Sequence, residues 1–171
     1  MKCLGFKLVA DPDARVLILG TLPSAESLRR CEYYANPANK FWRIMGELIG
    51  VRPEVTYEDR LRQLKRSGIA LWDVCHSAER SGSLDAKILL FTVVPNDFQS
   101  FLRTHARIRL ICFNGGAAER IFRRKVPPDI YQIPCKVLPS TSPAHTRMKY
   151  NEKVSRWRDA LAEAITLSPQ S

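Results

Sequence analysis

Apolar residues fall along this chain in two rhythms. Residues 15–20, Arg-Val-Leu-Ile-Leu-Gly, form a continuous apolar run ending in Gly, which predicts a strand buried on both faces. The runs 69–72, 109–113 and 135–138 predict three more strands, the last stopped by Pro139. Between them the period changes to that of a helix. Phe41, Met45, Leu48 and Ile49 lie at helical spacing before Gly50. Thr56 followed by Glu58 and Asp59 is an N-cap with acids in the first turn, and that helix ends near Ser67 and Gly68. Pro95 is read as the start of a short helix toward His105. A helix is predicted over 115–125, and Val154, Trp157, Leu161 and Ile165 mark one face of another over 149–165.

Strands alternating with helices predict an α/β fold: one domain, a three-layer α/β/α sandwich around a central, mostly parallel four-stranded sheet. The domain is expected over residues 1–167, with 168–171 a loose tail. In such a sheet the loops after the strands gather at one edge, where ligands bind. Those segments are 20–24, 73–76, 114–116 and 139–143, all rich in Gly, Pro, Ser, Asn or Asp. Small residues expose backbone N–H groups and let an anion approach.

Composition narrows the partner. The 171 residues carry 27 Lys and Arg against 17 Asp and Glu, a formal charge of +10. A surplus of this size favours a polyanion, nucleic acid before anionic membrane. Apolar residues at 45% and charged residues at 26% are ordinary globular values and exclude a disordered chain. No apolar run reaches the ~20 residues of a membrane helix, and no secretory signal is readable at the start. Five scattered cysteines without CxxC spacing suggest neither zinc nor disulfides, and imply a reduced, cytoplasmic compartment. No metal or cofactor is expected, and the chain is read as a monomer. The absence of a Walker P-loop and of GxGxxG disfavours triphosphate and dinucleotide enzymes.

Three segments carry candidate chemistry. Residues 33–43, Tyr-Tyr-Ala-Asn-Pro-Ala-Asn-Lys-Phe-Trp-Arg, mix aromatics that stack on bases with amides that read their edges. Asp73, at the end of an apolar strand, can accept an N–H from a bound base, cap a helix, or pair with Arg80. Ser140, Thr141, Ser142 and Pro143, followed by Arg147 and Lys149, offer hydroxyls, free backbone donors and cations to a DNA phosphate. Asn114 suits contact with base or phosphate, or capping of the helix at Gly115.

Four ordered motifs, GTLPS (20–24), YYANPANKFWRIMGEL (33–48), GIALWDV (68–74) with the later GSLDAKI (82–88), and LPSTSPA (138–144), resemble the uracil-DNA glycosylase superfamily. Within it they are most similar to the hypoxanthine-DNA (deoxyinosine) glycosylase branch, related to the mismatch-specific uracil/thymine-DNA glycosylases. The resemblance spans 16–157. It implies a monofunctional hydrolase that flips a deaminated base, hypoxanthine or uracil, out of DNA and hydrolyses its N-glycosidic bond in base excision repair. It places the catalytic amide at Asn39, a base-stacking aromatic at Tyr34 and a base-reading residue at Asp73. Many relatives hold an Asp or Asn where this chain has Leu22, whose side chain can neither polarise water nor hydrogen-bond a base. Gly20, Thr21 and Ser24 are expected to clamp a phosphate or to face the leaving base. The 139–144 loop is expected at the lesion gap, and the resemblance gives His145 no catalytic role. With no strong base among these residues, a modest turnover follows. The rivals are a DNA-binding module without chemistry and a nucleoside hydrolase acting on small molecules.

Overall fold

The computed structural model describes residues 1–167; the tail expected at 168–171 lies outside the described residues. Strands β2 (Val16–Gly20), β3 (Ile69–Asp73), β6 (Leu110–Asn114) and β7 (Cys135–Leu138) form a wholly parallel sheet in the order β3-β2-β6-β7. The side chains of β2 alternate between two cores. Val16 and Ile18 join Leu110 and Cys112 under α2 (Phe41–Ile49), α6 (Tyr150–Ala162) and Leu64 of α3 (Tyr57–Arg66). Leu17 and Leu19 join Ile111 and Phe113 on the other face, under α4 (Phe98–Thr104) and α5 (Gly116–Lys125). Burying each such side chain is worth roughly 1.5–3 kcal/mol, which is why a strand covered on both faces reads as unbroken apolar sequence. The three-layer α/β architecture is therefore as its sequence pattern predicts.

Four elements carried no readable signal. Strands β1 (Lys2–Leu4), β4 (Cys75–Glu79) and β5 (Val94–Pro95) make a small antiparallel sheet in the order β1-β4-β5. Segment 73–76, expected as a loop, bends directly from β3 into β4. Helix α1 (Ala25–Arg30) follows the first loop, and Ser24 caps it by accepting the N–H of Ser27. The helix expected to start at Pro95 starts instead at Phe98, because Pro95 pairs with Cys75 and the Asp97 side chain caps Ser100.

Sheet order fixes where a ligand can sit. The chain leaves β2 toward β3 on one side and leaves β6 toward β7 on the other, so a crevice opens at the carboxyl ends of β2 and β6.

Candidate active site

That crevice is a cavity of about 590 Å³, bounded by the loops after β2, β6 and β7, by Asp73 at the end of β3, by residues within 33–39, and by 83–86. Its size suits a nucleoside-sized ligand with ordered water.

Asp73 forms its floor. The carboxyl is almost fully buried at 3% exposure, and Oδ2 accepts the backbone N–H of Phe6 at 3.2 Å. Asp73 neither caps a helix nor bonds Arg80, whose guanidinium donates to the carbonyls of Leu22, Pro23 and Gly82. Burial pushes the Asp73 pKa up to about 7; the Phe6 N–H and Arg80 oppose this, and the Asp85 charge adds to it.

Gly20 lets the floor close up. A Cβ there would lie 3.0 Å from Asp73 Oδ1 and 3.2 Å from Tyr34 Oη. Tyr34 stacks on Phe41 with centroids 4.1 Å apart, and its backbone sits in the left-handed region at φ 55°. Its hydroxyl is buried near the Asn114 side chain and makes no hydrogen bond among the described residues. An acceptor and an unpaired donor thus converge over Gly20 at the bottom of the cavity.

Asn39 lines the cavity just ahead of α2. Its Oδ1 accepts the Phe41 N–H at 2.9 Å, an Asx turn that fixes which amide atom is oxygen. Its NH₂ group makes no hydrogen bond among the described residues and remains a free donor. The N–H groups of Thr21, Leu22 and Ser24 likewise meet no protein acceptor there. The carbonyls of Gly20, Thr21 and Pro23 are drawn the other way by Val74 N–H, Cys75 N–H and Arg80. A trans peptide points its N–H opposite its carbonyl.

The wall after β7 is braced from behind. Asn114 donates to Thr141 Oγ1 at 2.8 Å and accepts the Thr141 N–H at 2.9 Å, using both amide atoms. Thr141 is fully buried, so its hydroxyl is part of this brace. Buried Lys153 donates to the carbonyls of Ser140 and His145, and Trp157 donates to that of Pro139. Ser142, Pro143 and Ala144 remain at the cavity's edge. Arg147 is exposed just beyond it.

Other expected residues fall differently. Leu22, a base-binding candidate, packs in the core at 7% exposure and also lines the cavity, offering only apolar contact there. Ser24 spends its hydroxyl on the α1 cap. Two residues that the sequence did not single out line the cavity, Phe6 and Asp85, and a third, Lys153, braces its wall. Only Asp85 had a signal, as the sole acid of the quoted GSLDAKI segment. Phe6 and Lys153 arrive by packing alone.

An α/β/α domain with an aromatic-walled, polar-floored cavity at its strand ends is a domain shaped for a planar, hydrogen-bonding ring. Comparison with known proteins makes this specific: the chain belongs to the uracil DNA glycosylase superfamily, whose family model matches residues 6–165. It is 42% identical over 157 residues to the hypoxanthine DNA glycosylase of Methanosarcina acetivorans, covering 90% of this chain and 94% of that one. It is 37% identical over 164 residues to the hypoxanthine DNA glycosylase of Methanosarcina barkeri, covering 94% and 98%. A solution NMR structure of a Methanosarcina acetivorans protein, assigned to the uracil DNA glycosylases, matches with a TM-score of 0.78 and 40% identity. That match covers 95% of this chain and 98% of the other. No helix among the described residues is long and apolar enough to cross a membrane.

Proposed function

We propose that this chain is a monofunctional DNA glycosylase that extrudes hypoxanthine or uracil from DNA and hydrolyses its N-glycosidic bond, as the first step of base excision repair. A base inside the stack cannot be reached by water, and mispaired or deaminated bases are the cheapest to extrude.

The observation that carries this reading is the pair over Gly20. Asp73 Oδ1 is placed to accept, and the Tyr34 hydroxyl, unpaired among the described residues, is placed to donate. Hypoxanthine offers N1–H beside O6, and uracil offers N3–H beside O4, so each matches the pair. Adenine and cytosine present an acceptor where the N–H is needed. Guanine shares the N1–H and O6 pattern, so this pair excludes adenine and cytosine only.

Cleavage breaks the bond between C1′ and the base nitrogen, and its electron pair leaves with the base. Water supplies hydroxide to C1′ and a proton that ends on the base. The free donors of Thr21, Leu22 and Ser24 suit the negative charge of the departing base, and the Asn39 NH₂ suits water or base. Flanking DNA phosphates stabilise the cationic sugar. Leu22 is packed in the core, so the acid that many relatives hold there has no counterpart on this loop. Ser142 and Pro143, with Arg147 beyond them, would hold the DNA backbone beside the gap.

The test is a panel of oligonucleotides with one hypoxanthine, uracil or thymine opposite each base, single- and double-stranded, read as abasic-site formation. Cleavage of hypoxanthine or uracil is the expected result. Binding without abasic sites would leave a DNA-binding module, and hydrolysis of free inosine alone would leave a nucleoside hydrolase.

A further inference from the structure

Hydrolysis needs a group that takes the proton of the attacking water. An amide is too weak a base for this, and Leu22 contributes none. A carboxylate nevertheless reaches the same loop from another part of the chain. Residues 82–86 are fastened to the loop after β2 and the start of α1. Arg80 bridges them, Nε donating to the Gly82 carbonyl at 2.9 Å and a terminal nitrogen to that of Pro23, while the Ala25 N–H donates to Ser83 Oγ at 3.0 Å and Thr21 Oγ1 donates to Asp85 Oδ1. Asp85 thus lines the cavity from an exposed stretch of chain, while Asp73 lies at the buried floor. A base whose edge meets the buried Asp73 would leave its sugar toward the exposed part of the lining, to which Asp85 belongs. The second carboxylate oxygen of Asp85 makes no hydrogen bond among the described residues.

We infer that Asp85 is the catalytic carboxylate of this site, taking the place of the acid that Leu22 cannot supply. This rests on the glycosylase reading above. Asp85 accepts a proton from the water while its oxygen bonds to C1′ and the C1′–N electron pair departs with the base. The proton then passes to the departing base, restoring the carboxylate. Before it takes the proton, its negative charge lies close to the cationic sugar.

The surroundings suit a base. Desolvation in the cavity wall raises the Asp85 pKa above the usual carboxylate range; its bond from Thr21 and the charges of Arg80 and Arg120 oppose this. Asp73, from β3, is the other carboxylate that feels its charge.

A structural tie to Thr21 is the competing role, and Asp85→Asn separates the two. The amide oxygen still accepts from Thr21, but an amide takes no proton. The expected result is a loss of single-turnover cleavage of about 10²-fold or more. Affinity for duplex DNA carrying a non-cleavable 2′-fluoro deoxyinosine should stay within about threefold on the same grounds, since the Thr21 bond survives. The acid side of the single-turnover rate against pH should then keep only the contribution of Asp73. Cleavage by Asp85→Asn within about fivefold of wild type, short of any general-base contribution, would overturn the inference and leave Asp85 a tie. A wild-type protein that releases neither hypoxanthine nor uracil would instead overturn the glycosylase reading, before the variant is reached.

Discussion

The carboxylate of Asp73 is held by the backbone N–H of Phe6, 3.2 Å away across 67 positions of sequence. The N-terminal segment therefore completes the floor of a cavity otherwise made by the parallel sheet. Gly5 makes this possible. Its N–H donates to the His76 carbonyl at 2.8 Å, and a Cβ at Gly5 would stand 2.2 Å from the Cys75 carbonyl oxygen. Gly5→Ala is expected to push the segment off β4, destabilising the fold by roughly 1–3 kcal/mol. It should also slow hypoxanthine release, because Asp73 loses its partner. Thermal unfolding and the cleavage assay check this together; an unchanged melting temperature would show that the segment moves freely.

Asp73 sets opposite pH slopes for stability and activity. Its folded pKa, about 7, lies above the ordinary 3.8, so the native state holds more protons than the unfolded chain between those values. Stability contributed by this group is full below the lower value and falls as pH rises through the window, by at most roughly 4 kcal/mol. Base reading needs the ionised form, so kcat/KM on hypoxanthine rises through pH 7. Asp73→Asn should flatten both curves in chemical denaturation and in kinetics. It should also cut the preference for hypoxanthine over adenine by roughly 5- to 150-fold, the value of about 1–3 kcal/mol for a lost buried partner.

The parallel sheet was legible because β2, β6 and their neighbours must be apolar on both faces. The small sheet was not, because a three-residue strand such as Lys2–Leu4, or the mixed Cys-His-Ser-Ala-Glu of β4, has no period to read. At Pro95 a helix-start preference lost to strand pairing with Cys75. Within the site, Asn39, Tyr34 and Asp73 were legible through motifs, and the structure brings all three to one cavity. Phe6 and Lys153 were illegible because their roles exist only through contacts between distant segments. Ser24 and Thr141 show the converse: hydroxyls that suit a phosphate in sequence are consumed by a helix cap and by Asn114.

The charge surplus divides in a measurable way. Arg62 pairs with Asp59 and Lys65 with Asp11, while half-buried Arg60 donates to the Pro53 carbonyl and lies over the Trp42 ring. Arg147 and Lys149 lie exposed beside the 139–145 loop. A footprint of about five phosphates predicts a log–log salt slope near −4 to −5 on duplex DNA. Arg147→Ala should reduce that slope by about 1. Lys153 acts through the loop it braces, so Lys153→Met should weaken DNA binding about tenfold, the worth of a lost buried bond to a charged group, with little change in slope. A shallower slope in the Lys153 variant would mean that its ammonium reaches a phosphate directly.

Asn39 has two duties that substitution can separate. Its Oδ1 holds the Phe41 N–H at the start of α2, and its NH₂ is the free donor in the cavity. Asn39→Ala removes both, so the helix start should lose about 1 kcal/mol. Cleavage should fall by about 10²–10³-fold, the usual effect of deleting one donor to developing charge. Asn39→Asp keeps an acceptor for Phe41 and sets a negative charge at the helix N-terminus, so stability should be kept or slightly raised. It supplies no donor, so cleavage should fall as far as in the alanine variant. Single-turnover rates and melting temperatures of the two variants decide the matter. An active Asn39→Asp would assign the catalytic contribution to the acceptor, holding water, rather than to the NH₂.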